Sequence, residues 1–199
     1  MFTGIIEAVG RIARIEEVGG DRRIRFEAPG YFAGSVLGDS IATNGVCLTA
    51  VELGPDHYVA DLSAETLQLT TARDWQAGQA VNLERALTPS KPLGGHLVSG
   101  HVDGIGRLLG KAEDARSWRL EFEAPRDLVR YIARKGSICI EGVSLTVNEV
   151  SGLRFGVNIV PHTASHTTLG ALVAGQAVNL EVDLVARYLE RLLAERDIP

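Results

Sequence analysis

The chain has 199 residues, 25 of them acidic and 20 basic, for a formal charge of −5. With 45% hydrophobic and 23% charged residues it has the make-up of globular domains, which excludes disorder as its main state. The longest unbroken apolar run, Ala171 to Ala174, is four residues, against about 20 for a bilayer span, and no block of like charges supplies the footprint of a nucleic-acid binder. Neither a membrane nor a nucleic acid is therefore expected as a partner. Glu7, Arg11, Arg14, Glu16 and Glu17 interrupt the first twenty residues, so no basic start leads into an apolar block, and a cytoplasmic location is expected. There, Cys47 and Cys139 are expected as thiols rather than as a bridge.

In chain order, the first signals are short runs of period two. Ile24 and Phe26 alternate with Arg23, Arg25 and Glu27; Tyr58, Ala60 and Leu62 alternate with Val59, Asp61 and Ser63; Val81 and Leu83 alternate with Asn82 and Glu84. Such alternation predicts half-buried strands, and turns punctuate them at Gly10, Gly19-Gly20, Gly30, Gly38, Gly45 and Gly54-Pro55-Asp56. The reading is all-β, with small antiparallel barrels or sandwiches. Glu65 to Ala72 and Arg126 to Arg134 break the pattern and are expected as minor helices. From Asp183 onward, Val185, Tyr188, Leu189, Leu192 and Leu193 share one face, with Arg187, Glu190, Arg191 and Glu195 opposite. This is an amphipathic helix whose stripe must be covered, by the chain's own barrels or by other copies of the chain.

The chain also repeats itself. Gly-Gln-Ala-Val-Asn-Leu-Glu stands at Gly78 to Glu84 and again, letter for letter, 97 positions later at Gly175 to Glu181. At that offset Asn44-Gly-Val-Cys-Leu-Thr49 falls on Glu141-Gly-Val-Ser-Leu-Thr146, and Asp61 to Thr66 falls on Asn158 to Thr163. Upstream the offset is 96, where Gly10-Arg11-Ile12 meets Gly106-Arg107-Leu108, so a one-residue indel lies between about 30 and 44. Two tandem units follow, divided as 1–96 and 97–184, with the helix at 185–199.

Several chemistries can be weighed. Gly100 to Gly106 lacks the dinucleotide-loop spacing, and Gly106 to Lys111 is one residue short of a phosphate loop. His96 with His101, and His162 with His166, lack a placed carboxylate or thiol, so no metal is assigned. Cys47 with His101 fits a thiolate and its base; Cys47 also fits a small strand residue, the commoner state of a free cysteine. Cys139 reads as core, and His57 as part of a solvent-exposed hairpin turn. The glycine-dense junction Gly94-Gly-His-Leu-Val-Ser-Gly-His-Val-Asp-Gly104 carries more polar chemistry than a linker requires.

The start Met1-Phe-Thr-Gly-Ile5, the block at Asn44 to Thr49, that junction, Glu141-Gly-Val-Ser-Leu-Thr-Val147 and Thr-Thr-Leu-Gly170 together closely resemble the homotrimeric riboflavin synthases, in order along essentially the whole chain. The resemblance implies two similar six-stranded antiparallel Greek-key barrels and a C-terminal helix that assembles a homotrimer. It also implies a dismutation, in which one 6,7-dimethyl-8-ribityllumazine gives four carbons to a second, yielding riboflavin and 5-amino-6-ribitylaminouracil. Each site would hold two lumazines, between the N-terminal barrel of one subunit and the C-terminal barrel of its neighbour, with no metal or redox cofactor. A partnership with lumazine synthase, as an enclosing shell, is left open.

Carried over by resemblance, the first pocket comprises Gly4, Ile5, Ile6, Cys47, Leu48, Thr49, Asp61, Leu62, Ser63, Ala64, Glu65 and Thr66, with Gly100, His101 and Val102 crossing from the junction. The second comprises Lys135, Ser144, Leu145, Thr146, Asn158, Ile159, Val160, Pro161, His162 and Thr163. Cys47 faces Ser144 in the repeat and His101 faces Ile5, so one pocket alone has the thiol and this imidazole. His101 is the candidate base for the lumazine 7-methyl proton, while Cys47 and Ser40 are candidates to deliver or order a nucleophile. A non-catalytic lumazine- or flavin-binding protein of the same fold is the competing reading.

Overall fold

The computed structural model describes residues 1–194. The first sheet comprises β1 (Ala8–Val18), β2 (Asp21–Glu27), β3 (Ser40–Thr43), β4 (Val46–Thr49), β5 (Glu52–Gly54), β6 (His57–Leu62) and β7 (Ala80–Arg85), in the order β4-β3-β7-β1-β2-β6-β5. The second comprises β8 (Gly104–Asp114), β9 (Ser117–Glu123), β10 (Ser137–Ile140), β11 (Val143–Ser151), β12 (Arg154–Ile159) and β13 (Ala177–Val182), closed as β10-β11-β12-β9-β8-β13. The two orders are the same once β4 and β5 are read as the halves of β11. The Greek-key expectation therefore holds for both, with one difference: the first barrel has seven strands and its ladder stays open where residues 50 and 51 interrupt the strand.

Each barrel closes over its own core. Ile12, Ile24, Phe26, Tyr58 and Leu83 fill the first, and Leu108, Phe122, Val147, Phe155 and Leu180 the second. The period-two side chains of β2 and β6 point inward as expected, because strand side chains alternate between faces. His57 differs from its expectation: it opens β6, and its ring lies 3.3 Å from Glu52 instead of standing free in a turn. The minor helices are α1 (Ala64–Leu69), capped by Ser63, and its repeat α2 (Pro161–His166). Between Arg126 and Arg134 only Val129–Tyr131 forms a single 3-10 turn.

The repeated heptapeptide explains itself at the contact between the barrels. Alternation leaves Asn82 and Glu84 on the polar side of β7, yet both are buried, as are Asn179 and Glu181 on β13. That side faces the other barrel across a pseudo-two-fold axis. Asn82 Nδ2 donates to the Glu141 carbonyl (2.8 Å) and Asn179 Nδ2 to the Asn44 carbonyl (2.9 Å). The Thr71 N–H donates to Asn179 Oδ1 (2.8 Å), and the Thr168 N–H to Asn82 Oδ1 (2.7 Å). Gly45 and Gly142 meet at the axis, where a Cβ on either would lie 2.8 Å from the other's nitrogen.

The final helix, α3 (Leu184–Ala194), is tied down by its polar face. Arg187 reaches Asp103 Oδ2 (2.5 Å) and the His101 carbonyl (3.0 Å), and Glu190 reaches Arg130 (2.6 Å) and Tyr131. Val185, Tyr188, Leu189, Leu192 and Leu193 all stay more than half exposed, so the chain's own barrels do not cover the stripe. Glu195, also assigned to this helix, lies outside the described residues.

Candidate functional site

The two short segments that lead into β1 and β8 exchange barrels. Phe2 and Val98 pair on the axis, each N–H donating to the other's carbonyl (2.7 and 3.1 Å). Thr3 and Gly4 are then held by one buried carboxylate: the Thr3 N–H and hydroxyl donate to Glu84 Oε1 (both 2.7 Å), and the Gly4 N–H to Oε2 (2.9 Å). Ser99 and Gly100 repeat the clamp on Glu181, at 2.6, 2.7 and 2.9 Å. A carboxylate saturated by several donors is an effective fixed anchor, and these two set where the following residues go.

They go to opposite barrels. The Gly100 carbonyl accepts the Cys47 N–H (2.8 Å), and Val102 packs on the first core. The Gly4 carbonyl accepts the Ser144 N–H (2.8 Å), and Ile6 packs on the second core. The placement of Gly4, Ile5 and Ile6 in the first pocket is thus corrected: they lie on the second barrel, in the place that Gly100, His101 and Val102 take on the first. Both glycines are required by contact as well as by dihedral, since a Cβ would lie 2.6 Å from Cys47 Cβ at Gly100 (φ +79) and 2.5 Å from Ser144 Cβ at Gly4 (φ +74).

On the first barrel, then, Cys47 is half-buried and His101 exposed, and the backbone bond from Cys47 to Gly100 ties the residue before His101 to this strand. Leu48 is core, Thr49 is exposed, and Ser63 caps α1 by accepting the Thr66 N–H (3.2 Å), placing Ala64, Glu65 and Thr66 at the helix start. Leu62 is core as well. Asp61 is occupied by a two-pronged pair with Arg23 at 2.7 and 2.8 Å on the outer face. Ser40 shares the hairpin face of Cys47, paired with Thr49 one step further along. It lines a separate hollow of about 320 Å³ with Glu7, Arg85 and Lys91, and no hydrogen bond joins it to Cys47 or His101.

The second barrel carries a different head. His96 Nδ1 lies 2.7 Å from Ser144 Oγ, and burial lowers the His96 pKa, which keeps the imidazole neutral; its Nε2 is buried without a partner. The sequence placed His96 only among weak metal candidates, and its partnership with Ser144 had no local signal. Gly95 permits the approach, because a Cβ there would overlap the Thr3 carbonyl. Ile159 is core and Leu145 borders it, while Thr146, Lys135, Val160, Pro161 and His162 are exposed and Thr163 is half-buried. Asn158 accepts from Asn148 (3.1 Å) and donates to Asp114 (3.0 Å). His162 and His166 stack on each other at 4.0 Å. Among the described residues no group of three His, Cys, Asp or Glu side chains is placed to hold a metal ion. Cys139, fully buried, has its thiol pushed well up by desolvation and by nearby carboxylates, so it is a core residue without nucleophilic character.

The lumazine binding domain model matches this chain twice, over residues 3–86 and 99–183. Riboflavin synthase of Photobacterium phosphoreum is 47% identical over 97% of this chain and 89% of that protein. The enzyme of Mycobacterium tuberculosis (strain ATCC 25618 / H37Rv) is 42% identical over 97% and 98%, and that of Schizosaccharomyces pombe 36% over 97% and 94%. The chain belongs to the riboflavin synthase family. Two crystal structures of LumP, complexed with 6,7-dimethyl-8-(1'-D-ribityl) lumazine and with riboflavin, superpose with TM-scores of 0.82 and 0.84 at 27% and 28% identity, each over 92% of this chain and 99% of LumP. Both matched domains begin at the exchanged segments, Thr3 and Ser99, so the clamps on Glu84 and Glu181 are internal to the lumazine binding domain.

Proposed function

We propose that the chain is a riboflavin synthase, an enzyme that converts two molecules of 6,7-dimethyl-8-ribityllumazine into riboflavin and 5-amino-6-ribitylaminouracil. The observation that carries this reading is a pair of equivalent sites with unequal heads. A dismutation needs two places for one substrate and a difference between them. Cys47 with Gly100-His101-Val102 forms one head, and Ser144 with His96 and Gly4-Ile5-Ile6 the other. His101 takes the 7-methyl proton of one lumazine, and Cys47, on the strand bonded to Gly100, is the candidate to order the nucleophile that adds at ring carbon 7 of the other. On the second, Ser144 binds the partner lumazine with its hydroxyl oriented by His96. Holding both rings supplies much of the acceleration, since well-oriented reactants gain up to about 7–11 kcal/mol.

The exposed apolar stripe of α3 supports assembly as a homotrimer through that helix, since an apolar strip of this kind marks an interaction surface. Two free cysteines support a cytoplasmic location, and no described helix is long and apolar enough to cross a membrane. A LumP-like binding role is the second reading, favoured by the two superpositions. Mixing the protein with 6,7-dimethyl-8-ribityllumazine alone and following riboflavin absorbance separates the two. Synthase activity consumes two lumazines per riboflavin, and His101→Ala lowers kcat by about 10²–10⁴ if it is the base. Tight binding without conversion leaves the LumP-like role.

A further inference from the structure

On the pseudo-two-fold axis, away from both heads, lies a cavity of about 520 Å³. Its walls come in pairs 97 residues apart, including Thr71 with Thr168, Trp75 with Leu172 and Asn44 with Glu141. The frame is symmetric and the chemistry is not. The Trp75 indole N–H donates to Thr71 Oγ1 (3.2 Å). Leu172 has nothing to donate, and Thr168 Oγ1 is buried without a partner.

Glu141 is the more telling member. Asn44 and Glu141 do the same work in their hairpins: Asn44 Oδ1 accepts the Asn82 N–H (2.7 Å), and Glu141 Oε1 accepts the Asn179 N–H (2.6 Å). Both sit in the left-handed region, at φ +46 and +50. Asn tolerates that region, and Asn-Gly is the preferred two-residue hairpin turn, whereas a long side chain there is strained. Glu141 is also buried, and desolvation pushes its pKa to about 8. An Asn would meet the structural need without strain or buried acid, as its twin does. What Glu adds is a second oxygen, Oε2, which takes no hydrogen bond from the described residues, on a residue that lines the cavity.

We propose that this cavity is a ligand site separate from the two substrate pockets, taking an uncharged planar heterocycle with an N–H beside a carbonyl on one edge. The Glu141 carboxyl group, with its proton, donates to the carbonyl, while the ring N–H meets an acceptor at the Thr168 end. Val9, Trp75, Ala80, Leu172 and Ala177 cover the apolar body. No Lys or Arg lines the cavity, so nothing there receives an anion.

The test is calorimetric titration of the full chain with quinolin-2(1H)-one, its N-methyl derivative and the N-methylquinolinium cation, with thermal unfolding of each variant as the fold check. The lactam is expected to bind once per chain, with the N-methyl derivative and the cation at least tenfold weaker. Glu141→Asn installs the twin residue and Leu172→Trp fills the void while giving Thr168 Oγ1 a donor; each is expected to abolish binding, and if one does not fold, the other decides. No binding up to the lactam's solubility, equal binding of the N-methyl derivative, preference for the cation, or wild-type binding in a folded variant overturns the proposal. Neither residue belongs to the substrate pockets, so this outcome is independent of lumazine conversion.

Discussion

The two barrels share their strand order, their clamps and their axial hydrogen bonds, and a few of their many side-chain differences fall at the heads and on the axis. Even the interrupted strand of the first barrel keeps the frame: the Ala50 N–H donates to the Asp39 carbonyl (2.9 Å) as the Val147 N–H does to that of Gly136 (2.9 Å). Cys47 against Ser144, His101 against Ile5, Trp75 against Leu172 and Asn44 against Glu141 carry the asymmetry. Glycines, buried carboxylates and buried amides hold the frame, all facing the other barrel. Side chains vary on the heads and around the axial cavity while the backbone contacts of the axis are held fixed, and each variant below acts on one side of that division.

The axis itself should be the most sensitive place. Gly142→Ala meets the Gly45 nitrogen at 2.8 Å and sits at φ +81, so clash and dihedral add to a loss of about 2–5 kcal/mol. Gly175→Ala has a similar dihedral, φ +93, with nothing within 4 Å, and should lose only about 1–2 kcal/mol. Urea unfolding of both variants measures the difference. Equal losses would mean that the barrels do not meet closely at this point in solution.

Next comes the first barrel's own distinction. Trp75 is buried, edge-on to Phe26, with its indole N–H on Thr71. Trp75→Leu makes this barrel resemble the second, leaving a void and an orphaned hydroxyl, at a cost of about 2–3 kcal/mol. A loss below about 1 kcal/mol in the same assay would show that the core refills the space.

Much of this frame was legible in the sequence because it is written twice. The heptapeptide located the repeat, and Ile24, Phe26, Tyr58 and Ala60 announced inward faces. The polar side of β7 misled: alternation leaves Asn82 and Glu84 facing solvent, whereas their burial depends on surfaces distant in sequence, Glu141 for Asn82 and Thr3 with Gly4 for Glu84, which no local pattern contains. The exchange of Gly4 to Ile6 was hidden for a like reason. Its cause is a clamp on Glu84, distant in sequence, and a short segment of small residues carries no sign of which barrel it will join. The His96 and Ser144 pair likewise forms only when the junction folds across the second barrel.

The pH dependence of stability sharpens the contrast of Asn44 with Glu141. The folded chain holds the Glu141 proton to about pH 8, while the unfolded chain releases it near the ordinary value of 4.5. Between those values the folded state binds more protons, so stability falls as pH rises, by up to about 1.4 kcal/mol per pH unit. Glu181, raised by burial, and His96, lowered by it, titrate in wild type and in Glu141→Asn alike. The difference between the two unfolding curves from pH 5 to 8 therefore isolates Glu141, and parallel curves would refute a buried neutral acid. Glu7 acts at the other end. Burial would raise its carboxyl, but hydrogen bonds from Lys91, Tyr31 and Arg85 hold it at about 2. Its contribution is present above about pH 4.5 and is lost as pH falls towards 2.

The smallest structural change tests the heads. Cys47→Ser and Ser144→Cys each put one barrel's residue on the other, with near-equal volume and unchanged backbone bonds to Gly100 and Gly4. Each should alter stability by less than about 1 kcal/mol. Their effect on lumazine conversion should be far larger, because the thiol is removed from the first head in one, and the hydroxyl that His96 holds at 2.7 Å is removed in the other. We expect each single exchange to lower kcat at least tenfold, and the double exchange not to restore it, since His101 still stands against Ile5. Full activity in the double variant would mean that the thiol and hydroxyl only fill space, and that the inequality of the two sites resides in the histidines alone.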